Sequence, residues 1–306
     1  MIGAAILDVP VGPVDRSVFN VGSHPVAAVR LYPGGDALNE SIILSRLGHR
    51  VHLISRIGAD MAGEMILGLC QREGIDTSGI QKVDGIDTGV NVVLVEENGE
   101  RSFITSVGGS LRKQEPTDVV IPKLPKARIL MLASIFTYPA FTADEMVRIF
   151  REAKEAGYLV CADMTKCKNK ETLSDIAPAL KFVDYIFPNL EEAAMVSGLT
   201  DPGEIVKAFL AAGVGTIVLK LGKEGCLIGT LRENTVDTVL VPAVPDAQVV
   251  DTTGAGDTFA AAFLSGLLEG KSPKECAAFA NRAAAVTISE FGATTALKGR
   301  EQITVQ

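Results

Sequence analysis

Two aspartates, Asp251 and Asp257, bracket two threonines and a Gly-Ala-Gly turn. Directly after Asp257 the sequence becomes apolar, with Phe259, Phe263 and Leu267 at helical spacing. This pattern predicts a loop that enters a buried helix. The first amides of such a helix have no internal partner, and its dipole is positive at that end. Because small residues let an anion approach the backbone, the stretch could bind a phosphate group.

Asp257 lies at the mouth of this predicted anion site. A carboxylate beside a phosphate is unfavourable unless it has a task. The natural task is to accept the proton of a hydroxyl group that attacks phosphorus. Asp is also a favoured helix N-cap residue, so the spacing alone leaves a capping role open.

Further candidates for ligand contacts lie near the N-terminus. Asp8 stands towards the end of an apolar run at 2–9, and open α/β sheets place ligand contacts at the carboxyl ends of their strands. Alternatively, Asp8 begins a turn. Gly34 and Gly35 precede a helical pattern in which Asn39 offers a donor and an acceptor on the first turn.

Most of the chain alternates between predicted strands and predicted helices. Apolar runs predict strands at 2–9, 51–57, 129–132, 158–162, 185–187 and 216–221. Helical periodicity predicts helices at 34–47, 61–73, 143–156, 172–181, 203–212 and 275–289. Repeated β-α units indicate an α/β fold with a parallel sheet covered on both faces.

A second, smaller β-sheet is predicted from 11–33 and 88–106. The latter segment alternates around Asn98-Gly99, a strong hairpin signal. Arg101 follows this turn, where it could reach a substrate or simply decorate an exposed strand, and we expect the exposed strand. The predicted domains are an α/β domain at 1–10, 34–87 and 113–306 and a small β-sheet at 11–33 and 88–112.

The run from Asp251 to Asp257, with the apolar helix behind it, resembles the C-terminal signature of the ribokinase-like (PfkB) carbohydrate kinases. The span from Gly34 through Gly48 to Gly58 resembles the N-terminal signature of the same family. The resemblance implies a ribokinase-like fold: a mostly parallel sheet flanked by helices on both faces, with the small β-sheet as a lid over the sugar.

The resemblance also assigns roles to residues. It implies that Asp257 is the catalytic base and that the amides of Gly254, Ala255 and Gly256 form the anion hole. The implied sugar contacts are Asp8, Gly34, Gly35 and Asn39. The implied nucleotide contacts are Asn189, Lys220, Gly222, Gly225 and Asn281.

The implied cofactors are ATP and Mg²⁺, with Glu192 and Asn189 organising the Mg²⁺ and its water. Asp251 and Thr253 resemble ligands of a monovalent cation such as K⁺ in many family members. Here Glu290-Phe291 replaces the Arg-Pro that usually precedes the glycine of that site, Gly292. The expected partners are a small sugar or sugar-like molecule and a second copy of the chain, bound through the lid.

Composition excludes several other classes of function. The 306 residues carry a net charge of −8 without a basic block, so we expect neither a nucleic-acid nor a membrane partner. The five cysteines are scattered and indicate no disulfide framework or zinc site. With no signal peptide or membrane-spanning run, the expected location is the cytoplasm.

The sequence lacks the motifs of two other enzyme classes, but it leaves the identity of the substrate undecided. Gly254-x-Gly256 is followed by Phe259 where a dinucleotide-binding motif needs Gly or Ala, and no P-loop motif occurs. The expected activity is phosphorylation of a hydroxymethyl group on a pentose or ketose. A nucleoside kinase of the same family and a non-catalytic sugar sensor are the alternatives.

Overall fold

The computed structural model describes residues 1–97, 101–233 and 235–303. Its strands are β1 (Ile6–Gly12), β2 (Ala28–Val29), β3 (Tyr32–Gly34), β4 (His52–Gly58), β5 (Asp76–Val83), β6 (Val90–Val95), β7 (Arg101–Thr105), β8 (Ile129–Ile135), β9 (Leu159–Met164), β10 (Tyr185–Ile186), β11 (Thr216–Lys220), β12 (Cys226–Arg232) and β13 (Thr235–Val241). Its α-helices are α1 (Asp36–Arg46), α2 (Met61–Arg72), α3 (Ala143–Glu155), α4 (Leu173–Leu180), α5 (Leu190–Ser197), α6 (Pro202–Ala211), α7 (Ala255–Leu268) and α8 (Pro273–Thr287). Each predicted helix is confirmed to within about two residues, the usual uncertainty of helix ends.

The main sheet has the strand order β13-β12-β11-β10-β9-β8. Ile2 continues it by bridging to Leu132 of β8 and to Ile54 of the β4–β5 pair. Strands β8 to β11 are parallel, while β12 and β13 are antiparallel. The parallel part places the carboxyl ends of β9, β10 and β11 at one edge of the sheet, where such folds bind ligands.

Side chains from alternate strand positions enter two separate apolar clusters, one on each face of the main sheet. In β8, Met131 packs with residues of α1, α2, α7 and α8, whereas Leu130 and Leu132 pack with residues of α3 to α6. The predicted α/β fold with helices on both faces is therefore confirmed. Among the described residues, no helix has the length and apolar character needed to cross a membrane.

The small sheet has the order β2-β1-β6-β7, with β3 paired to β1. Strands β6 and β7 are antiparallel, which confirms the predicted hairpin; its Asn98-Gly99 turn lies outside the described residues. Strand β1 crosses the domain boundary that we placed between residues 10 and 11, because its whole length pairs within the small sheet. We refer to the small sheet below as the lid.

Three strands, β5, β12 and β13, were not predicted from the sequence. Strand β5 carries no fully buried residue, and β13 buries only its last one. Edge strands with so little burial lack the apolar run or strict alternation by which a strand is recognised. Gly229 interrupts the apolar pattern of β12. It lies so close to the side chain of Val206 on α6 that a side chain at position 229 would not fit.

Candidate active site

The loop before α7 is shaped to receive a ligand at the helix N-terminus. Gly254 has φ 73° and no side chain caps the helix. A Cβ atom on Gly254 would lie 2.5 Å from the Cβ of Ala293, so a glycine is required both by the backbone conformation and by space. The first amides of α7, including those of Gly256 and Asp257, therefore have no capping side chain and remain available to an anion.

Asp257 lies in the first turn of α7 and is half-buried. Its Oδ2 accepts a hydrogen bond from Nδ2 of Asn39 on α1, at 2.8 Å. Burial, followed by the charge of nearby Asp36, raises the pKa of Asp257 to about 7, although Asn39 and Lys220 act in the opposite direction. A carboxyl group with this pKa is suited to accept a proton at neutral pH.

Asp8 lies on the lid side of Asp257, close enough to contribute to the pKa of Asp257 through its charge. Its Oδ1 accepts a hydrogen bond from Nδ2 of Asn91 on β6, at 3.0 Å, and burial raises its own pKa to about 6. A Cβ atom on Gly34 would collide with the Asp8 carboxylate. Gly35, with φ 86°, begins α1 against the backbone of Ala4, which brings Asn39 towards Asp257.

A polar cavity of about 370 Å³ opens at the carboxyl edge of the main sheet, on the other side of Asp257. Four carboxyl groups and one ammonium group line it in the described part of the chain: Asp36, Asp163, Glu192, Asp257 and Lys220. The cavity is also lined by the predicted nucleotide contacts Asn189, Gly222, Gly225 and Asn281 and by the predicted anion-hole residues Ala255 and Gly256.

Lys220 supplies the ammonium group that pairs with a carboxyl group of this cavity. Its Nζ donates to Oδ2 of Asp163 at 2.6 Å, and both side chains are largely buried. Burial disfavours the charged form of Lys220, but the carboxylates of Asp163 and Glu192 outweigh burial and raise its pKa. A Cβ atom on Gly256 would lie only 3.4 Å from this ammonium group, so the charge of Lys220 stands directly beside the amides of the anion site.

Asn189 and Glu192 form a capping box at the start of α5. Oδ1 of Asn189 accepts from the backbone amide of Glu192 at 2.8 Å, and Oε2 of Glu192 accepts from the amide of Asn189 at 2.9 Å. One carboxylate oxygen of Glu192 is thus held by the backbone. Burial raises the pKa of Glu192, although the charge of Lys220 opposes this shift.

The remaining predicted nucleotide contacts lie at one end of the cavity. Gly222 and Gly225 have φ 59° and 98°, and a Cβ atom on Gly225 would collide with the backbone of Val241. Asn281 is buried and its Nδ2 donates to the carbonyl oxygens of Val241 and Pro242, at 3.2 and 2.9 Å. This donor is therefore engaged by the protein, which leaves the carbonyl side of Asn281 for a ligand.

The cavity fits a divalent cation bound together with phosphates. Four carboxyl groups and one ammonium group line it in the described part of the chain, so oxygen ligands are plentiful. No three His, Cys, Asp or Glu side chains of the described residues converge into a ready-made metal cluster. Mg²⁺ usually keeps several waters and binds through one or two carboxylates plus substrate phosphates, so this arrangement suits it. Glu192 would hold such an ion, through water or its second oxygen.

The surroundings of Asp251 do not fit the expected monovalent cation. Its Oδ1 accepts from the guanidinium of Arg101 and from the amide and hydroxyl of Thr253; its Oδ2 accepts from the amide of Gly292. The guanidinium also donates to the hydroxyl of Thr253. The expectation that Arg101 decorates an exposed strand is therefore wrong, because Arg101 reaches across from β7 to this loop.

Several site residues were missed from the sequence. Asp163 is the last residue but one of β9. Ligand contacts lie at the carboxyl ends of such strands, so its position indicates a contact for the same reason as the position of Asp8. Asp36 follows the glycine pair that we did identify. Asn91 and Arg101 carried no local signal, since their roles depend on contacts with residues 83 and 150 positions away.

Together these groups can transfer a phosphoryl group to an alcohol. Asp257 lines the polar cavity, the pocket that contains Asp8 lies near enough for the charge of Asp8 to act on Asp257, and helix-terminal amides lie beside it. A base, an anion site and a hydroxyl-binding carboxylate are the parts that such a reaction requires.

Comparisons with known proteins give the same result. The family model described as "pfkB family carbohydrate kinase" matches residues 1–299. A ribokinase of Arabidopsis thaliana is 29% identical over 282 residues, covering 88% of this chain and 70% of the relative. An uncharacterized sugar kinase of Archaeoglobus fulgidus is 30% identical over 258 residues, covering 83% and 97%.

Solved structures share the fold over nearly the whole chain. The structure of Arabidopsis thaliana ribokinase complexed with ribose and ATP superposes with a TM-score of 0.80 at 25% identity, covering 99% of this chain and 96% of the other. A ribokinase of Giardia lamblia superposes with a TM-score of 0.81 at 20% identity, again covering 99% and 96%. The chain has the ribokinase fold and belongs to the pfkB family of carbohydrate kinases, which are phosphotransferases acting on sugars.

Proposed function

We propose that this protein is an ATP-dependent kinase that phosphorylates a hydroxymethyl group of a small sugar of the pentose or ketose type. The observation that carries the proposal is the position of Asp257. It lies at the open N-terminus of α7, between the polar cavity and the Asp8 pocket, with its pKa raised to about 7.

In the proposed mechanism, Asp257 accepts the proton of the sugar hydroxyl as the bond to phosphorus forms. The first amides of α7 and the ammonium group of Lys220 stabilise the charge of the transferring phosphoryl group. Bound Mg²⁺ would neutralise phosphate charge, with Glu192 as its protein partner. Asn39 keeps the Asp257 carboxylate oriented towards the hydroxyl through its hydrogen bond of 2.8 Å.

Two features support a small sugar as the substrate. The pocket beside Asp8 is lined by Arg101, Asp251 and Thr253 together with Tyr32 and Phe103, so it is polar on one side and apolar on the other. Its accessible volume is only about 40 Å³, which leaves room for a few water molecules. The lid must therefore move to admit any sugar, and a nucleoside would require a larger movement.

The relatives leave three substrate classes to be tested. Curated relatives include ribokinases and a 2-dehydro-3-deoxygluconokinase of Dickeya dadantii, which is 27% identical over 285 residues. A structural neighbour is an adenosine kinase of Sinorhizobium meliloti, with a TM-score of 0.78 at 24% identity. These names define the panel: pentoses and ketoses, a sugar acid and a nucleoside.

The test is an ATP-consumption assay over this panel with identification of the phosphorylated product by mass spectrometry. We expect product with a pentose or ketose, dependent on Mg²⁺. Product with the sugar acid or the nucleoside alone would replace the proposed substrate class. Binding of a sugar in a thermal-shift assay without ATP consumption would instead identify a sugar sensor.

We also propose a homodimer formed through the lid. The strands of the lid expose apolar side chains to solvent, namely Val29, Phe103 and Ile104. We expect light scattering to give twice the monomer mass, and Ile104→Lys to give the monomer. The matched control is Leu231→Lys on β12, since Leu231 is as exposed as Ile104 (53% and 54%). A monomeric wild-type protein would contradict the proposal.

A further inference from the structure

Arg101 joins the lid to the loop that forms the anion site. It is the first residue of β7, and its guanidinium donates to Oδ1 of Asp251 and to the hydroxyl of Thr253. The ion pair is largely enclosed, with 22% of the Arg101 side chain and 2% of the Asp251 side chain exposed. The contact spans 150 positions in the sequence, so it is made by the fold and not by a local turn.

The geometry at Asp251 is that of a carboxylate whose acceptor sites are occupied by donors. Besides the guanidinium, the amide and hydroxyl of Thr253 donate to Oδ1, at 2.8 and 2.7 Å, and the amide of Gly292 donates to Oδ2, at 2.9 Å. A metal cation needs oxygen ligands with free lone pairs, and here three donors already point at Oδ1 of Asp251 and a fourth at Oδ2. The charge of Asp251 is already balanced by the charge of Arg101.

We propose that Arg101 acts as a tethered monovalent cation: its guanidinium, attached to the lid, balances the charge of Asp251 in place of a bound K⁺. It fixes the shape of the anion loop, the segment from Asp251 to Gly254, only while the lid is closed. The loop between Asp251 and Gly254 leads directly into the first turn of α7. The charge beside Asp251 therefore affects where the first amides of α7 lie. Arg101 is in this sense a positioning residue.

The link to lid closure follows from where Arg101 is attached. The Asp8 pocket offers only about 40 Å³ of accessible space in this structure, and Arg101 is part of its wall. Admission of a sugar requires β7 to move away from the α/β body, and this movement carries the base of the Arg101 side chain away from Asp251. The anion loop would then receive its cation at the moment when the lid covers the substrate, which restricts phosphoryl transfer to the closed, water-excluding state.

The first test measures cation binding without using catalysis. Melting temperatures of the wild type and of Arg101→Met are compared in KCl and in tetramethylammonium chloride of equal ionic strength, and in dilute guanidinium chloride. We expect the wild type to melt at the same temperature in the first two salts. Arg101→Met should melt lower in tetramethylammonium and be raised by K⁺ or guanidinium by about 2 °C or more, because a ligand that binds only the folded state stabilises it.

A matched control is available within the same chain. Arg56 on β4 forms a bidentate ion pair with Asp118, at 2.8 Å for both bonds, with side-chain exposures of 18% and 7% that are close to those of the Arg101 pair. Arg56→Met should also lower the melting temperature, but K⁺ and guanidinium should not restore it. A K⁺ effect of equal size in Arg56→Met would overturn the proposal, since it would be nonspecific.

The second test is kinetic and rests on the proposed kinase activity. The kcat/KM of the wild type should be the same with K⁺ and with tetramethylammonium as the only monovalent cation. Arg101→Met should lose about tenfold in tetramethylammonium, within the range of coupling between distant groups, and regain most of it in K⁺. Arg101→Lys, which keeps the charge, should stay independent of K⁺.

The outcomes separate this inference from the proposed function. A melting temperature of the wild type that rises with K⁺ would overturn the proposal that Arg101 replaces the bound cation, whichever substrate the enzyme phosphorylates. An Arg101→Met variant with a raised KM for the sugar and no response to K⁺ or guanidinium also overturns it, because Arg101 would then contact the substrate directly. If no substrate of the panel is phosphorylated, the proposed function fails while the melting experiment still decides the role of Arg101.

Discussion

The two ends of the loop before α7 each carry an aspartate, and the two carboxyl groups have opposite character. Asp251 is 3% exposed, yet its pKa is held below the usual value, because donors from Thr253, Gly292 and Arg101 outweigh the effect of burial. Asp257 is more exposed, yet burial and the charge of Asp36 raise its pKa to about 7. Hydrogen-bond donors thus hold the pKa of Asp251 down, whereas burial and the neighbouring charge of Asp36 raise the pKa of Asp257.

This difference explains how one short loop performs two tasks. The Asp251 end is fixed by several donors and joins the lid to the α/β body through Arg101. The Asp257 end keeps a single side-chain donor, Asn39, and faces the cavity. Experiments that remove each carboxylate in turn should therefore give different results, one in turnover and the other in stability.

The largest expected effect is on turnover in Asp257→Asn. An amide cannot accept the proton of the substrate hydroxyl, so kcat should fall by about 10²- to 10⁴-fold, the contribution typical of general base catalysis. ATP binding, measured by isothermal titration calorimetry, should be retained because the α7 amides and Lys220 are unchanged. A variant with near-normal turnover would remove Asp257 from the role of base.

The next largest effect is the loss of stability in Asp251→Asn. The substitution leaves the guanidinium of Arg101 without its charged partner in a largely enclosed position, which should lower the free energy of unfolding by about 3 kcal/mol. Urea unfolding measures this change. The control is Asp237→Asn, because Asp237 pairs with Arg232 at 3.6 Å on an exposed edge, where such pairs contribute little. Equal losses in the two variants would contradict the difference between enclosed and exposed pairs.

The surroundings of Asp257 and of Asp251 differ in how far they could be predicted from the sequence. The position of Asp257 in the first turn of a buried helix was predictable, because a glycine turn followed by an apolar helical pattern is a local signal. The α/β order of helices and strands was predictable for the same reason, since periodicity is local. The state of Asp251 was not predictable, because Arg101 reaches it through the packing of β7 on the loop.

Residues that act through distant contacts share this limit. Asp163 is paired with Lys220, a contact between the carboxyl ends of β9 and β11, which lie on either side of β10, and the sequence shows neither the strand order nor the direction of the side chains. Edge strands such as β5 and β13 were missed because they bury almost nothing. The sequence therefore located the glycine turn and the helix that begins after it, while the charged groups around them became apparent only in the fold.

A smaller effect, on the pH dependence of stability, tests the raised pKa of Asp257. In the folded state this pKa is about 7, against 3.8 for the group in its ordinary environment, so the folded protein binds the extra proton between these values. Its contribution to stability is complete below pH 4 and is lost as the pH rises through 7. The full shift sets a ceiling of about 4 kcal/mol, and partial exposure reduces the expected value to about 1–2 kcal/mol.

Asp257→Asn removes this penalty, so the variant should be more stable than the wild type at pH 8 by about 1–2 kcal/mol and equally stable at pH 4. Urea unfolding at the two pH values measures the difference. Asp237→Asn serves again as the control, with no change at either pH. A variant that gains nothing at pH 8 would show that Asp257 is fully ionised in the wild type well below pH 7.

The smallest expected effect distinguishes the single donor of Asp257 from the several donors of Asp251. The hydrogen bond from Asn39 lowers the pKa of Asp257, so its removal in Asn39→Ala should raise that pKa further. Because the base must be ionised to accept a proton, the acid limb of the kcat/KM profile should move to higher pH, by about half a unit to one unit. Loss of a sugar contact by the same substitution would lower kcat/KM equally at all pH values and leave the limb in place. The position of the limb, and not the height of the profile, therefore reports whether Asn39 acts on the carboxylate.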